Sequence, residues 1–519
     1  MGFTRKQFLD LASKGALGAY ASSIFDFLPR APALQAADII SSPELRKVGE
    51  YIASHREEHV ANVQRDLRQP SVSSWKKGVW EMAQVMVDSF KTLGCQEVRL
   101  IPTSMPDWPG ILARYDVGAP KTVVVYFMYD TQPFDETRWS SPPLEARRVK
   151  GFGSFPEVIV ARGAINSKGA NRFVLNAMES ILAVHGKLPV NVIFTCDGAE
   201  EQGSPNFHEV LDPWRDELKR ARCMLNLGPS QQADGSVAIS LGNKGILSIE
   251  LEAHGARWGR GPQKMPIHSS RKAVLDSPVW RLLDAVRSMY NPAANEILIA
   301  GFKDDMRPPD EEELELMRVL TGRFKDRLFG SERENVKVFM NDWTPEEAAF
   351  HLTFDTTLNI DGIWAGYTGP GMATILPEKA AVKMDARLVP NQQVKKQGDL
   401  VRSHLDSLGF TDIEMRQLGG GDEWSQTSVR APAVQATLAM YKAHGIEPMV
   451  WPRSAGSSPQ WEYTRRLRLP AGGGGLGHGS RAHSDDEYIV IEGNDKVAGI
   501  VRAEQSVAEL LFTYANWPD

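Results

Sequence analysis

Four short segments concentrate the side chains able to do chemistry in this chain. They are Met128-Tyr129-Asp130-Thr131-Gln132-Pro133, Arg162 to Gly169 with Asn166 and Lys168 inside it, Asp197 to Ser204 with the paired Glu200 and Glu201, and Gly479 to Tyr488 with His483. Adjacent carboxylates disfavour joint ionisation, so Glu200 and Glu201 need either a cation or a shared proton. Beside a cation, one of them can take a proton from water. Without one its pKa rises and it can serve as an acid. The alternative without chemistry is a hydrogen-bonded pair on a turn. The glycine-rich run Ala471 to Gly479 is no phosphate cradle, because it lacks the GxxxxGK[ST] pattern and a following helix. The three cysteines, Cys95, Cys196 and Cys223, are too few and too far apart for a zinc knuckle or a disulfide framework. Cys95 is left as a weak nucleophile candidate and Cys196 as a core thiol.

The elements that must position these segments are strands and helices in alternation. Lys121 to Met128 carries the continuously apolar run Val123 to Phe127, the pattern of a strand buried on both faces. Val190 to Cys196 repeats it, Met224 to Leu227 is shorter, and Glu97 to Ile101 precedes them. Helical spacing covers Ser41 to Leu93 and Asn171 to Val184. This order predicts an α/β domain with a mostly parallel central sheet, whose ligands gather at the carboxyl ends of the strands. After Gly245 the pattern changes. Leu247 to Ala253 and Ala380 to Leu388 alternate like half-exposed strands, Pro278 to Tyr290 and Gln397 to Leu408 are helical, and residues 303–350 are charged and helical. That composition predicts an α+β insertion. The α/β pattern resumes near Ser425 with a helix at Val434 to His444 and a strand at Glu447 to Trp451. The expected division is a leader at 1–37, α/β domain at 38–245, insertion at 246–424 and the rest of the α/β domain at 425–519. Trp258, Trp280, Trp364, Trp451 and Trp461 read as packing aromatics.

Composition bounds the function classes. With 519 residues, 42% hydrophobic and 24% charged, the chain has ordinary globular composition and room for several domains. Its net charge of −6 supplies no global reason to bind nucleic acid or an anionic membrane. No apolar run approaches the roughly 20 residues of a membrane-spanning helix. The N-terminus differs from the rest. Thr4-Arg5-Lys6-Gln7-Phe8-Leu9 looks like a twin-arginine export motif with lysine as its second basic residue, followed by small residues from Ala12 to Ser23 and by Ala31-Pro32-Ala33, an A-x-A cleavage pattern. The expectation is export to the periplasm; the alternative is a cytoplasmic protein with an amphipathic N-terminal helix.

Taken jointly and in order, the four segments resemble the M20 family of metallopeptidases, which includes dipeptidases, carboxypeptidases, aminoacylases and deacetylases. The resemblance runs from about residue 45 to 515. It implies a zinc-peptidase-like α/β domain interrupted by an α+β lid or dimerisation domain. It also implies two zinc or similar ions on five side chains: a histidine from an H-x-D motif and a later aspartate on the first ion, a glutamate of the Glu-Glu pair and a late histidine on the second, and an aspartate between them. Here Met128 stands for the first histidine, Leu227 for the later aspartate and Asn166 for the bridge. Glu201 and His483 keep the second ion's donors. The implied metal complement is therefore a single divalent ion, zinc or manganese, on Glu201, His483 and the Asn166 carbonyl, or none. His478, in the same glycine-rich stretch, is a further donor by proximity. Glu200 matches the family's general base, and Asp130 its H-x-D aspartate.

The substrate side matches more fully. Pro266-Ile267-His268-Ser269 resembles the segment whose histidine enters the partner subunit's site and polarises the scissile carbonyl, which implies a homodimer. Asn359 and Thr374 fall in segments similar to the lid's substrate contacts, Arg387 matches the arginine that pairs with the substrate carboxylate, and Gly456 and Ser457 match a substrate loop. The resemblance implies an amide or peptide hydrolase acting on a small carboxylate-bearing molecule, with no nucleic-acid or membrane partner. Two alternatives stay open: a catalytically inactive binding protein, and a metal-independent acid–base enzyme.

Overall fold

The structure is a computed structural model that describes residues 21–329 and 336–518. The Thr4 to Leu9 motif lies outside the described residues. Its centre is a six-stranded sheet in the order Glu97–Ile101, Gly110–Tyr115, Asn191–Asp197, Thr122–Met128, Cys223–Leu225, Ala471–Gly472. The last four run parallel, and Gly110–Tyr115 alone is antiparallel to its neighbours on both sides. Every residue of Asn191–Asp197 is buried, which is why the segment reads as an unbroken apolar run rather than an alternation. Helices Val79–Thr92, Lys168–His185, Pro432–Ala443 and Ile500–Asn516 cover the sheet and share its main apolar core.

A second sheet, unforeseen in the sequence, pairs Arg147–Phe152, Phe155–Val160, Tyr488–Glu492 and Gly479–Ser480. Its last connection, between Gly479–Ser480 and Tyr488–Glu492, carries His483. Arg147, Arg148, Lys150 and Glu157 hide the strand signal here by crowding the segment with charge; Arg148 and Glu157 pair with each other and with Glu57 and Arg56 respectively.

The insertion forms an antiparallel sheet in the order Asn359–Ala365, Lys379–Leu388, Gly245–His254, Glu414–Gln417, with helices Pro278–Met289 and Val394–Ser407 closing a separate apolar core against it. Residues 303–350 divide into helices Glu311–Phe324 and Pro345–Phe354, each opened by a reciprocal capping box, at Asp310–Glu313 and Thr344–Glu347. Their apolar faces meet Met449 rather than the insertion's sheet. Trp280 and Trp364, expected to pack, are 61% and 41% exposed. Among the described residues no helix is long and apolar enough to cross a membrane.

Candidate functional site

The parallel pairing of Thr122–Met128 with Asn191–Asp197 sets Met128 opposite Asp197, so that the two segments beyond them leave the sheet side by side. Asp130 is fully buried there and accepts the backbone N–H groups of Glu200 and Glu201, each at 3.1 Å. It thereby fixes the short 3-10 turn Glu200–Gln202 that presents both glutamates. Burial, then the neighbouring Asp197, hold the Asp130 carboxyl well above the ordinary carboxylate range, against a hydrogen bond from Ser73. Glu200 is pushed up to about 9 by burial first and then by Asp130, Glu201, Asp197 and Asp422. Asp197 and Asp422 are each raised to about 6, again chiefly by burial.

Glu201 is the centre of a different network. Gln132 Nε2 donates to its Oε2 at 2.7 Å and Asn166 Nδ2 to its Oε1 at 2.7 Å. Asn166 Nδ2 also lies 3.0 Å from His483 Nε2, which is itself 3.2 Å from Glu201 Oε2. A neutral ring accepts from Asn166 through that nitrogen; a protonated ring donates to Glu201. The Glu201 bond raises the His483 pKa, against some desolvation. The loop carrying Asn166 is tied to the loop carrying His483 by Glu487. This fully buried carboxylate accepts the backbone N–H groups of Gly163, Ile165 and Asn166 at 3.0, 2.9 and 2.8 Å and pairs with buried Arg162 at 2.8 Å.

Glu201, His483 and Asn166 thus meet, but not as a metal cage. Asn166 turns its Nδ2 to the other two, while its Oδ1 accepts from Ser167 Oγ at 3.1 Å. Met128 and Leu227, at the carboxyl ends of neighbouring strands, are buried apolar side chains at 6% and 7% exposure. Among the described residues no group of three or more His, Cys, Asp and Glu side chains is arranged to hold an ion. These residues do not fit a two-ion centre. His478 is no donor to the site: its ring nitrogens are 2.7 Å from the Gln231 carbonyl and 3.0 Å from the Tyr488 hydroxyl. Burial pushes the Cys95 thiol up to about 12, which removes it as a nucleophile.

Beside Glu200 opens a cleft of about 380 Å³ between the α/β domain and the insertion, lined among others by Ser204, Asp361, Lys383, Asp422 and Ser457. Arg387 joins its rim, donating to Ser457 Oγ at 2.8 Å and to Asp385 at 3.0 Å. Asn359 Nδ2 donates to Asp361 at 3.0 Å, and the Gly456 N–H to Ser454 Oγ at 3.0 Å. His268 and Thr374 sit on a separate two-strand ribbon, where Thr374 Oγ1 and His268 Nε2 are 3.1 Å apart; the ring's other nitrogen faces Ser270. His268 is exposed and has no hydrogen bond to the Glu200 cluster. Sequence reasoning missed Gln132 and Glu487 as organisers, and Lys383 and Asp422 in the cleft. Lys383 had a signal: it shares a strand face with Asp385 and Arg387 at a period of two.

The model of peptidase family M20/M25/M40 matches residues 125–505. The chain is 27% identical to the human Beta-Ala-His dipeptidase over 70% of this chain and 72% of that one. It is 25% identical to the Cys-Gly metallodipeptidase of Saccharomyces cerevisiae over 92% of this chain and all of that one. Among solved structures, an M20 family metallo-carboxypeptidase from Sulfolobus solfataricus superposes with a TM-score of 0.76 at 30% identity, covering 88% of this chain and 99% of the other. Human carnosine dipeptidase 1, with a TM-score of 0.72 and 23% identity over 91% and 99%, shares the fold.

Proposed function

The chain belongs to peptidase family M20/M25/M40, and on that premise we propose that it hydrolyses an amide or peptide bond in a small carboxylate-bearing substrate, a dipeptide or an N-acyl amino acid. The observation that carries this reading is the cleft itself, which sets Glu200 and Ser457 in one wall system and brings Arg387 to its edge through Ser457. Support also comes from the dipeptidases and the carboxypeptidase that the chain resembles.

Hydrolysis adds the oxygen of water to the carbonyl carbon, breaks the C–N bond and delivers a proton to the leaving nitrogen. Arg387 presents a planar fork that can exchange Ser457 for a substrate carboxylate. Glu200, in the cleft wall, is assigned the proton transfer: with its pKa raised to about 9 it starts protonated, gives that proton to the leaving nitrogen and recovers one from the attacking water. Asp130 is a positioning residue, acting through the Glu200 and Glu201 amides. His268 lies apart from Glu200 within one chain, and its proposed place is across a homodimer interface, polarising the scissile carbonyl of the partner's substrate. The metal complement we propose is degenerate: at most one divalent ion, zinc or manganese, on Glu201 and His483 with the Asn166 carbonyl turned inward. We further assign the chain to the periplasm on the Thr4 to Leu9 motif.

A second reading, capture of the substrate without turnover, is favoured by one observation: amides of Gln132 and Asn166 already fill both Glu201 oxygens. A panel of dipeptides and N-acyl amino acids, assayed with elemental analysis of the same protein, decides between them. Turnover that disappears in Glu200→Gln with folding retained supports the hydrolase; saturable binding without any turnover supports capture. A bound ion, if one is found, should be lost in Glu201→Ala and His483→Ala. Two ions per chain in the native protein would contradict the proposed site.

A further inference from the structure

Two places near the N-terminus carry alanines at the spacing a leader peptidase reads, with small residues one and three positions before the cut: Ala19-Tyr20-Ala21 and Ala31-Pro32-Ala33. The structure separates them. Cutting after Ala33 would remove residues that belong to the folded body. Ile24, Phe27 and Leu28, at 1%, 6% and 7% exposure, lie in the main core with the helices of the α/β domain. Ser23 Oγ donates to Glu447 at 2.6 Å, and the Ile24 N–H reaches the same oxygen at 3.2 Å. Arg430 lies over the Phe27 ring and Lys442 over the Phe25 ring. The Ala33–Leu34 bond is itself inside the helix Arg30–Ile40, with the Ala33 N–H bonded to the Pro29 carbonyl at 3.2 Å, so that cut would also take away the first turn of a packed helix.

All of the buried residues and contacts just named lie after the Ala21–Ser22 bond. A cut there removes far less: of the described residues it takes only Ala21, which is partly buried against the main core and whose N–H donates to Glu315 at 3.1 Å. Ser22 is exposed, as a chain end should be. Its nitrogen already has an acceptor: the Ser22 N–H donates to Asp26 Oδ2 at 2.7 Å, and the Ser23 N–H to the same oxygen at 2.9 Å. A new α-ammonium at Ser22 would turn the first of these into a charge-assisted bond, stronger than the neutral one it replaces. Asp26 also closes the capping box with Ser23 that starts the turn Ile24–Phe27, so the acceptor is fixed by the fold and not by the leader.

We infer that a leader peptidase hydrolyses the Ala21–Ser22 bond, so that the mature chain begins at Ser22 with its ammonium on Asp26 and keeps the whole of the Ile24–Ile40 segment. Water supplies the hydroxyl of the released Ala21 carboxyl group and the proton that completes the Ser22 amine. The inference rests on the proposed export, and it moves the end of the leader from residue 37 to residue 21.

The full chain, produced in a bacterium with a working twin-arginine pathway, tests it by fractionation and mass spectrometry of the N-terminus. The expected result is a periplasmic chain that starts at Ser22. Ala19→Leu should abolish that start, whereas Ala31→Leu, on an exposed position of the helix, should leave it unchanged. A periplasmic chain that starts at Leu34, or one that keeps residues 1–21, overturns the cleavage site while export stands. A chain confined to the cytoplasm with residues 1–21 attached overturns the export reading and the cleavage with it.

Discussion

The two sides of the candidate site are built on opposite principles. On one side Met128 and Leu227, at the carboxyl ends of adjacent parallel strands, are buried apolar side chains that contribute by packing. On the other, Glu201, Asn166, Gln132 and His483 form a hydrogen-bonded polar set held in place by the buried Glu487. On the proposed degenerate metal site, the contrast teaches how donors can be replaced without the site collapsing. Where donors give way to hydrocarbon, the surrounding core absorbs it. Where a carboxylate must stay, amide N–H groups take over the task of satisfying its oxygens, since a buried carboxylate without partners costs far more than one that is bonded.

The most forceful way to break the contrast is to return donors to the apolar side. A Met128→His, Asn166→Asp, Leu227→Asp triple variant should rise from at most one bound zinc per chain to two, measured by elemental mass spectrometry. An unchanged count would show that more than these three side chains separates this site from a two-ion centre. Glu200→Gln comes next. Loss of proton transfer at that carboxyl should lower kcat by about 10²- to 10⁴-fold with an unaltered melting curve; an activity within a few fold of the parent would remove Glu200 from the mechanism.

Smaller effects separate packing from hydrogen bonding. Leu227→Ala should cost about 2–5 kcal/mol of stability, the usual range for a cavity in a core, read from denaturant unfolding. Gln132→Met removes one donor to Glu201 while keeping the volume, and should cost about 1–3 kcal/mol, as expected for a buried acceptor that loses a partner. Equal costs for the two would erase the distinction drawn here.

A separate, pH-dependent effect concerns Lys244, a buried lysine whose ammonium donates to the Asp355 carbonyl. Burial lowers its pKa from the ordinary 10.5 to about 7. Below pH 7 the lysine is charged in folded and unfolded chains alike, and the folded state bears the full cost of burying it. Between pH 7 and 10.5 the unfolded chain holds more protons, so this cost is relieved as pH rises. Lys244→Met should therefore gain melting temperature over the parent most at pH 6 and least near pH 10. A pH-independent difference would show that Lys244 is not the group responsible.

Much of this was legible from residue types. The strands Thr122–Met128 and Asn191–Asp197 announce themselves because a strand buried on both faces is apolar throughout. The insertion's strand Lys379–Leu388 shows its half-buried alternation, and two of the four polar segments follow strands of the parallel sheet, while the other two come from the antiparallel second sheet. Gly110–Tyr115 escaped because Gly110, Ala113 and Arg114 interrupt its apolar run, although every residue but Arg114 is buried. The Arg147–Phe152 and Phe155–Val160 hairpin escaped because its surface charges mask its period. His478 looked like a donor by its place in the chain, yet its ring is turned into the body between Gln231 and Tyr488.

The sequence by itself determined the fold class, the order of the segments and the chemical poverty of positions 128, 166 and 227, because these follow from residue identity and from periodicity over a few neighbours. Only the tertiary structure decided that Asn166 turns its amide nitrogen to Glu201, that Glu487 ties two loops more than 300 residues apart, that Lys383 and Asp422 face Glu200 across one cleft, and that residues from Ile24 onward belong to the core. Each of these depends on which groups must satisfy one another once the chain is closed, and a polar atom's partner is set by its neighbours in space, which local pattern does not encode.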